Sequence, residues 1–153
     1  MPIRHHKGRG AVSDREGRFA TRPVDYDPEE AHERARFAPG TELRAMRTGR
    51  IIATNSSPDV PFDRSITPYQ GCEHGCIYCY ARPSHSYLDL SPGLDFETKI
   101  FYKPNAVARL LEEWEKPGYV PQPITIGANT DPYQPAEKRL GITRALLEAF
   151  LSL

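Results

Sequence analysis

All three cysteines of this 153-residue chain fall within positions 72–79, in the string Gly71-Cys72-Glu73-His74-Gly75-Cys76-Ile77-Tyr78-Cys79-Tyr80, spaced C-x3-C-x2-C. Thiols this crowded constrain the chain more than any other feature. They call for a tight loop, and as thiolates they select zinc, copper or an iron–sulfur cluster. A structural zinc site takes four ligands, and so does an all-cysteine cluster. Three cysteines around a four-iron cube leave one iron without a protein ligand, open to a small chelating molecule. Gly71 and Gly75 suit a loop whose backbone passes close to such a group, and its N–H groups can bond to the sulfurs and tune the potential. The competing reading is a zinc site of three cysteines and His74, which makes the chain a structural or nucleic-acid-binding module. His74 stands only two residues from both Cys72 and Cys76, which is tighter than ordinary finger spacing.

The cysteine count also bears on compartment. An odd number of cysteines, with no apolar stretch behind the basic start MPIRHHKGRG, argues against a disulfide framework and a secretory signal. No apolar run approaches the length of a membrane span. The expected setting is a reducing cytoplasm, with no membrane partner. Lys plus Arg number 20 and Asp plus Glu number 20, so the chain as a whole is not a basic coat for nucleic acid. The charge is uneven: residues 1–50 carry eleven basic and eight acidic side chains. Arg4, Lys7, Arg9, Arg15, Arg18 and Arg22 face only Asp14 and Glu16 near the start. Residues 1–24 show no helical or strand period and read as a solvated, mobile arm. Contact with a polyanion is the functional alternative for them.

Fifteen prolines divide the chain into short pieces. Asp27, Pro28, Glu29 and Glu30 mark the start of a short helix ending by Pro39-Gly40. Residues 1–62 form an extension that is mostly disordered or irregular apart from that helix. Residues 63–153 form the core. There, Ser65-Ile66-Thr67 is a short strand and Tyr69 to Arg82 the cysteine loop, followed by a long connection with Pro83, Pro92 and Gly93 as turn markers. Thr98 to Tyr102 reads as a strand. Asn105 caps a helix whose Val107, Leu110, Leu111 and Trp114 share one face, and Pro117-Gly118 ends it. Ile124-Thr125-Ile126 is a buried strand, Gly127 to Pro135 a loop, and Leu140 onward a helix with Ile142, Ala145, Leu146, Ala149 and Phe150 on one stripe. Strand, helix, strand, helix is the order of parallel βα units, so the fold class is α/β. Two such units neither close a barrel nor bury a parallel sheet on both faces. The chain is therefore expected to be the front part of a longer protein or a prematurely ended one.

The cysteine spacing with an aromatic before the last thiol resembles the cluster signature of the radical S-adenosylmethionine enzymes. The string Thr67-Pro68-Tyr69-Gln70-Gly71-Cys72-Glu73-His74-Gly75-Cys76-Ile77-Tyr78-Cys79-Tyr80-Ala81-Arg82 is similar to the branch of spore photoproduct lyase and the so-called DNA repair photolyases. Asn129-Thr130-Asp131-Pro132-Tyr133-Gln134-Pro135 resembles a second block of that branch, and Leu140-Gly141-Ile142-Thr143-Arg144 the helix start after it. The resemblance covers Asp63 to the end. It implies the N-terminal part of a partial six-unit (β/α) barrel, with Ser65-Ile66-Thr67 as first strand and Ile124-Thr125-Ile126 as second. It implies a 4Fe–4S cluster on Cys72, Cys76 and Cys79, with S-adenosylmethionine on the open iron. One electron, from a donor such as flavodoxin or ferredoxin, would cleave that cofactor to a 5′-deoxyadenosyl radical that abstracts hydrogen from substrate. Tyr78 matches the aromatic near the adenine. Asn129, Thr130 and Asp131 occupy the loop where many relatives carry Gly-Gly-Glu. In its absence Asp131 or the Thr130 hydroxyl would receive the methionine ammonium. The resemblance leaves the substrate unknown, with nucleic acid as the class that the family suggests, and assigns no catalytic residue.

Two departures qualify it. No fourth cysteine exists to return hydrogen to a product radical, so a thymine-lesion reaction is not implied. The later barrel strands are missing, so a truncated, inactive relative that still holds a cluster is a further reading. Elsewhere, His5, His6, His32 and His85 lack ligand spacing and read as exposed polar residues. Arg82, Lys99 and Lys103 read either as a group facing an anionic substrate or as ordinary surface charge. Asp131-Pro132 also fits a plain turn.

Overall fold

The computed structural model describes residues 9–11, 15, 17, 18 and 40–152. The short helix expected between Asp27 and Pro39 lies outside them, as do His5, His6 and His32. Among the described residues, six strands and four α-helices follow in chain order: β1 (Glu42–Ala45), β2 (Ile52–Thr54), β3 (Arg64–Ile66), β4 (Tyr69–Gln70), α1 (Leu94–Thr98), β5 (Lys99–Tyr102), α2 (Ala106–Trp114), β6 (Thr125–Ile126), α3 (Glu137–Leu140) and α4 (Ile142–Leu151). A 3₁₀ helix, Arg82–Leu88, precedes α1. The fold is mixed α/β with two three-stranded sheets, ordered β1-β5-β4 and β2-β3-β6. The chain divides into two compact units, Met1–Arg44 with Gln70–Ile100, and Ala45–Tyr69 with Phe101–Leu153. None of the helices described is long and apolar enough to cross a membrane.

The second unit carries the parallel pairing. β3 runs parallel to β6 with Ser65 opposite Thr125 and Ile66 opposite Ile126, and the Gly127 N–H continues the ladder to the Ile66 carbonyl at 2.9 Å. Both expected strands are therefore present, each shifted or trimmed by one residue. β2 adds antiparallel to β3, Ile52 opposite Ile66. Ile51-Ile52-Ala53 was expected only as a small apolar piece. Three residues are too short for a period to show, and Ile52 becomes a strand residue through its partner across the sheet.

α2 begins after Asn105, but the Asn105 side chain does not cap it. Its amide instead clasps the Thr48 backbone, accepting from the N–H at 3.2 Å and donating to the carbonyl at 2.9 Å. The buried face of α2 is Ala106, Leu110 and Glu113, with Val107 and Trp114 half-buried, while Leu111 is 42% exposed. The expected face is thus rotated. Glu113 is drawn inside because its carboxylate receives the N–H groups of Ile51 and Ile52. The Trp114 ring meets Phe150 of α4 edge-on, centroids 5.2 Å apart, and Ile142 and Leu146 of α4 are buried with Ile66 and Leu110. The helix expected from Leu140 onward is α4, which starts two residues later at Ile142; Gly141, at φ +62°, separates it from the short α3, which was not expected.

In the first unit the long connection expected after the cysteines is largely helical. Pro83 sits in the first turn of the 3₁₀ helix, where a missing N–H costs nothing, so a residue read as a turn marker starts an element. Thr98, expected as a strand residue, ends α1 with its hydroxyl bonded back to the Leu94 carbonyl at 2.7 Å. β5 then pairs with β1 and β4, outside the sheet that holds β3 and β6. His85 is fully buried, correcting its reading as an exposed polar residue. Its Nε2 lies 2.8 Å from the Lys99 carbonyl, and its ring meets Phe96 edge-on at 5.2 Å.

Candidate functional site

Two of the predicted groups lie in different units, and each is described within its own. The cysteine loop leaves β4 through Gly71, whose φ of +83° is a left-handed conformation. A Cβ there would fall 2.9 Å from His85, from Ile100 and from the Phe96 carbonyl, so the position admits glycine alone without rearrangement. The Cys72 N–H then bonds the Phe96 carbonyl at 2.9 Å. Cys72 is buried, 8% exposed, in a cluster with Ala81 and Phe96, against which Cys79 packs half-buried. Cys76 is exposed, and none of the three thiols is in a disulfide. Gly75 takes φ +67° immediately before Cys76. The Cys79 N–H reaches back to the Cys76 carbonyl at 3.3 Å. Tyr78, the aromatic expected beside a cofactor, is 87% exposed, and His74 is exposed as well.

Arg82 holds this loop. Its Nε and Nη2 donate to the Cys76 carbonyl at 3.1 and 2.8 Å. Its Nη1 donates to the carbonyls of Pro92 and Gly93 at 3.3 and 3.2 Å. Its Nη2 pairs with Glu97 Oε1 at 2.5 Å, and the guanidinium lies 5.4 Å from the Phe96 ring centroid. Every N–H of the guanidinium is therefore used inside the protein. Neither expectation for Arg82, substrate anion or ordinary surface charge, describes it. Lys99 is paired too, with Asp95 at 2.6 Å. In the other unit, burial lowers the Lys103 pKa below its usual lysine value.

Glu97 is the residue sequence reasoning missed. It is fully buried. Besides Arg82, its carboxylate accepts the N–H groups of Gly10 at 3.1 Å and Ala11 at 2.7 Å. In sequence it stands between Asp95 and Lys99 and reads as one more surface charge. No local pattern marks it.

In the second unit, β6 leads through Gly127, at φ +80°, into Asn129-Thr130-Asp131. A Cβ on Gly127 would lie 2.3 Å from the Pro132 ring, which closes the loop on itself. Thr130 is buried and its hydroxyl donates to the Tyr69 carbonyl at 2.7 Å, so it fixes the loop to the start of β4. Asn129 is half-buried and Asp131 exposed. One Asp131 carboxylate oxygen accepts the Tyr133 N–H at 2.8 Å, the side-chain-to-backbone bond typical of an Asp-Pro turn. The loop ends against Glu137, whose carboxylate accepts the Tyr69 hydroxyl and the N–H groups of Thr143 and Arg144, both at 3.0 Å, and so caps α4.

Among the described residues, no group of three or more His, Cys, Asp or Glu side chains is gathered at metal-binding distance. The donor chemistry nonetheless fits a soft metal group. Three thiols share one short loop, two of them on one apolar cluster, with a left-handed glycine directly before the loop and another within it.

No protein-family profile and no solved structure matches the chain. Curated relatives do: uncharacterized proteins of Mycobacterium bovis and of two Mycobacterium tuberculosis strains are each 41% identical over 100 residues. The match takes in 63% of this chain, which spans only 29% of the length of each of those relatives.

Proposed function

We propose that the chain is the N-terminal, cluster-binding part of a radical S-adenosylmethionine enzyme, with Cys72, Cys76 and Cys79 as the ligands of a 4Fe–4S cluster. The observation that carries this reading is the cysteine loop. Cys72 and Cys79 meet on the Phe96 cluster, and the exposed Cys76 is anchored through its own carbonyl by Arg82. When bound, such a cluster would supply the electron for reductive cleavage of S-adenosylmethionine, and three protein ligands would leave room for that cofactor.

The chain's own residues do the holding. Gly71 and Gly75 set the loop's direction at left-handed φ values. The Phe96 carbonyl fixes the backbone at Cys72, and Arg82 fixes it at Cys76. Tyr78 offers an exposed aromatic face of the kind that stacks on a base. Of the residues after β6, Asp131 is the exposed carboxylate suited to an ammonium group. Thr130 is buried and its hydroxyl hydrogen is committed to Tyr69, which makes it a support for the loop. The parallel pairing of β3 and β6 agrees with the first two strands of a barrel. The cytoplasm, an electron donor such as flavodoxin or ferredoxin, and a nucleic-acid substrate belong to the same reading.

The test is to reconstitute the chain without oxygen, reduce it, and incubate it with S-adenosylmethionine. Formation of 5′-deoxyadenosine that is lost in a triple Cys72→Ser, Cys76→Ser, Cys79→Ser variant supports the reading in full. An intact cluster without cleavage identifies a cluster-binding piece that needs the remainder of a longer protein. One tightly held zinc and no iron replaces the reading with a zinc module.

A further inference from the structure

We infer that Arg9, Gly10 and Ala11 are a positioning strap for the cysteine loop, acting through Glu97 and Arg82. The inference deepens the cluster-binding reading and rests on it for the loop's purpose, but its geometry stands apart from any metal. Residues 1–24 read as a mobile arm in sequence, yet these three are fixed. The N–H groups of Gly10 and Ala11 donate to the two carboxylate oxygens of Glu97. The Arg9 guanidinium donates to the Glu97 carbonyl at 2.8 Å and to the Thr41 hydroxyl at 2.9 Å.

The strap also touches the loop itself. A Cβ built on Gly10 would lie 1.7 Å from the carbonyl oxygen of Gly75, the residue before Cys76. Only a glycine lets the two backbones approach this closely. A second approach lies further along: a Cβ on Gly17 would meet the Ser86 hydroxyl at 2.7 Å.

The chain of contacts is therefore continuous. The arm's amides hold Glu97, Glu97 holds Arg82, and Arg82 holds the Cys76 carbonyl. Glu97 is fully buried, so its carboxylate needs several donors at once. Arg82 supplies one, and the arm supplies two of the others. With the arm displaced, Glu97 must find water or draw Arg82 away from Cys76, and either change loosens the backbone between Cys72 and Cys79. Groups behind the ligands that orient them are known to govern metal affinity.

The test compares the full chain with Gly10→Ala, which drives the strap off Gly75, and Ala11→Pro, which deletes one donor to Glu97. Ala11→Gly keeps that N–H and serves as the control. In the metal-free chain, alkylation of Cys72 by a maleimide is followed by mass spectrometry well below the melting temperature, with circular dichroism checking that each variant is folded. The strap predicts Cys72 labelling faster by roughly tenfold or more in Gly10→Ala and Ala11→Pro, and unchanged in Ala11→Gly. It also predicts an apparent iron affinity lower by about tenfold in the first two. Labelling at the parent rate in both folded variants overturns the strap. A parent chain that takes up no iron overturns the cluster reading alone, because the labelling comparison still decides the strap.

Discussion

The Glu113 carboxylate accepts the backbone N–H of Ile51 at 2.7 Å and that of Ile52 at 3.3 Å, tying helix α2 to the residues that open strand β2. All three residues are buried, so neither N–H has ready access to water. Glu113→Leu is predicted to lower stability by about 2–4 kcal/mol, because it orphans two buried donors while adding apolar volume. Glu113→Gln keeps a carbonyl acceptor and is predicted to cost less than about 1.5 kcal/mol. Urea denaturation of both variants checks the order.

Gly71 and Gly118 separate steric exclusion from backbone strain. Both adopt a φ near +80°, but a Cβ on Gly71 meets three neighbours at 2.9 Å whereas one on Gly118 meets nothing within 4 Å. Gly118→Ala should cost about 1–2 kcal/mol, the strain of the left-handed conformation alone. Gly71→Ala should cost roughly 3 kcal/mol or more, since crowding is added to strain. Equal losses in denaturant midpoint would mean that the packing around Gly71 is looser than these distances require.

His85 gives the first unit a pH dependence. Burial holds its pKa below the ordinary 6.5; the bond to the Lys99 carbonyl and the Asp95 charge oppose this, while the Lys99 charge adds to it. A base whose folded pKa is depressed is protonated more readily in the unfolded chain. Its contribution to stability is therefore complete above pH 6.5 and is lost as the pH falls from there toward the folded value. Stability measured between pH 7.5 and pH 5 is predicted to decline along this course, and His85→Gln to flatten the decline.

Glu137 organises the start of α4. It accepts the Thr143 and Arg144 N–H groups and the Tyr69 hydroxyl. Burial, followed by the bond to Glu137, pushes the Tyr69 pKa well above its usual value, so the phenol stays protonated as the donor in this arrangement. Glu137→Ala is predicted to cost about 2–3 kcal/mol and to raise hydrogen exchange at Thr143 and Arg144 first. Tyr69→Phe should cost about 1–2 kcal/mol and leave those two amides protected.

What the sequence made legible divides along physical lines. Ile66, Ile126, Leu110 and Leu146 stand in apolar patterns that local reasoning reads directly, and the strands and helices built on them are present, the strands paired parallel. The three cysteines and Gly71 announce a tight loop through their spacing. The loop's support was not legible. Glu97 and Glu113 are buried acids whose partners include backbone N–H groups 86 and 62 residues away in the chain, and no periodicity carries such information. Arg82 stands close to the cysteines in sequence, yet its role depends on carbonyls from Cys76, Pro92 and Gly93 that only the folded loop brings to it. Leu111 shows the converse: it fits the helical stripe by spacing, but the buried Glu113 turns the helix and leaves it exposed.

The central claim is that Cys72, Cys76 and Cys79 hold a four-iron cluster with one iron left for a cofactor. Mössbauer spectroscopy of the anaerobically reconstituted chain, with iron and sulfide counted on the same sample, tests it most directly. The account predicts about four irons and four sulfides per chain, with one iron site whose signal shifts when S-adenosylmethionine is added. A chain that holds a single zinc, or a cluster whose four irons are equivalent and indifferent to that cofactor, contradicts it.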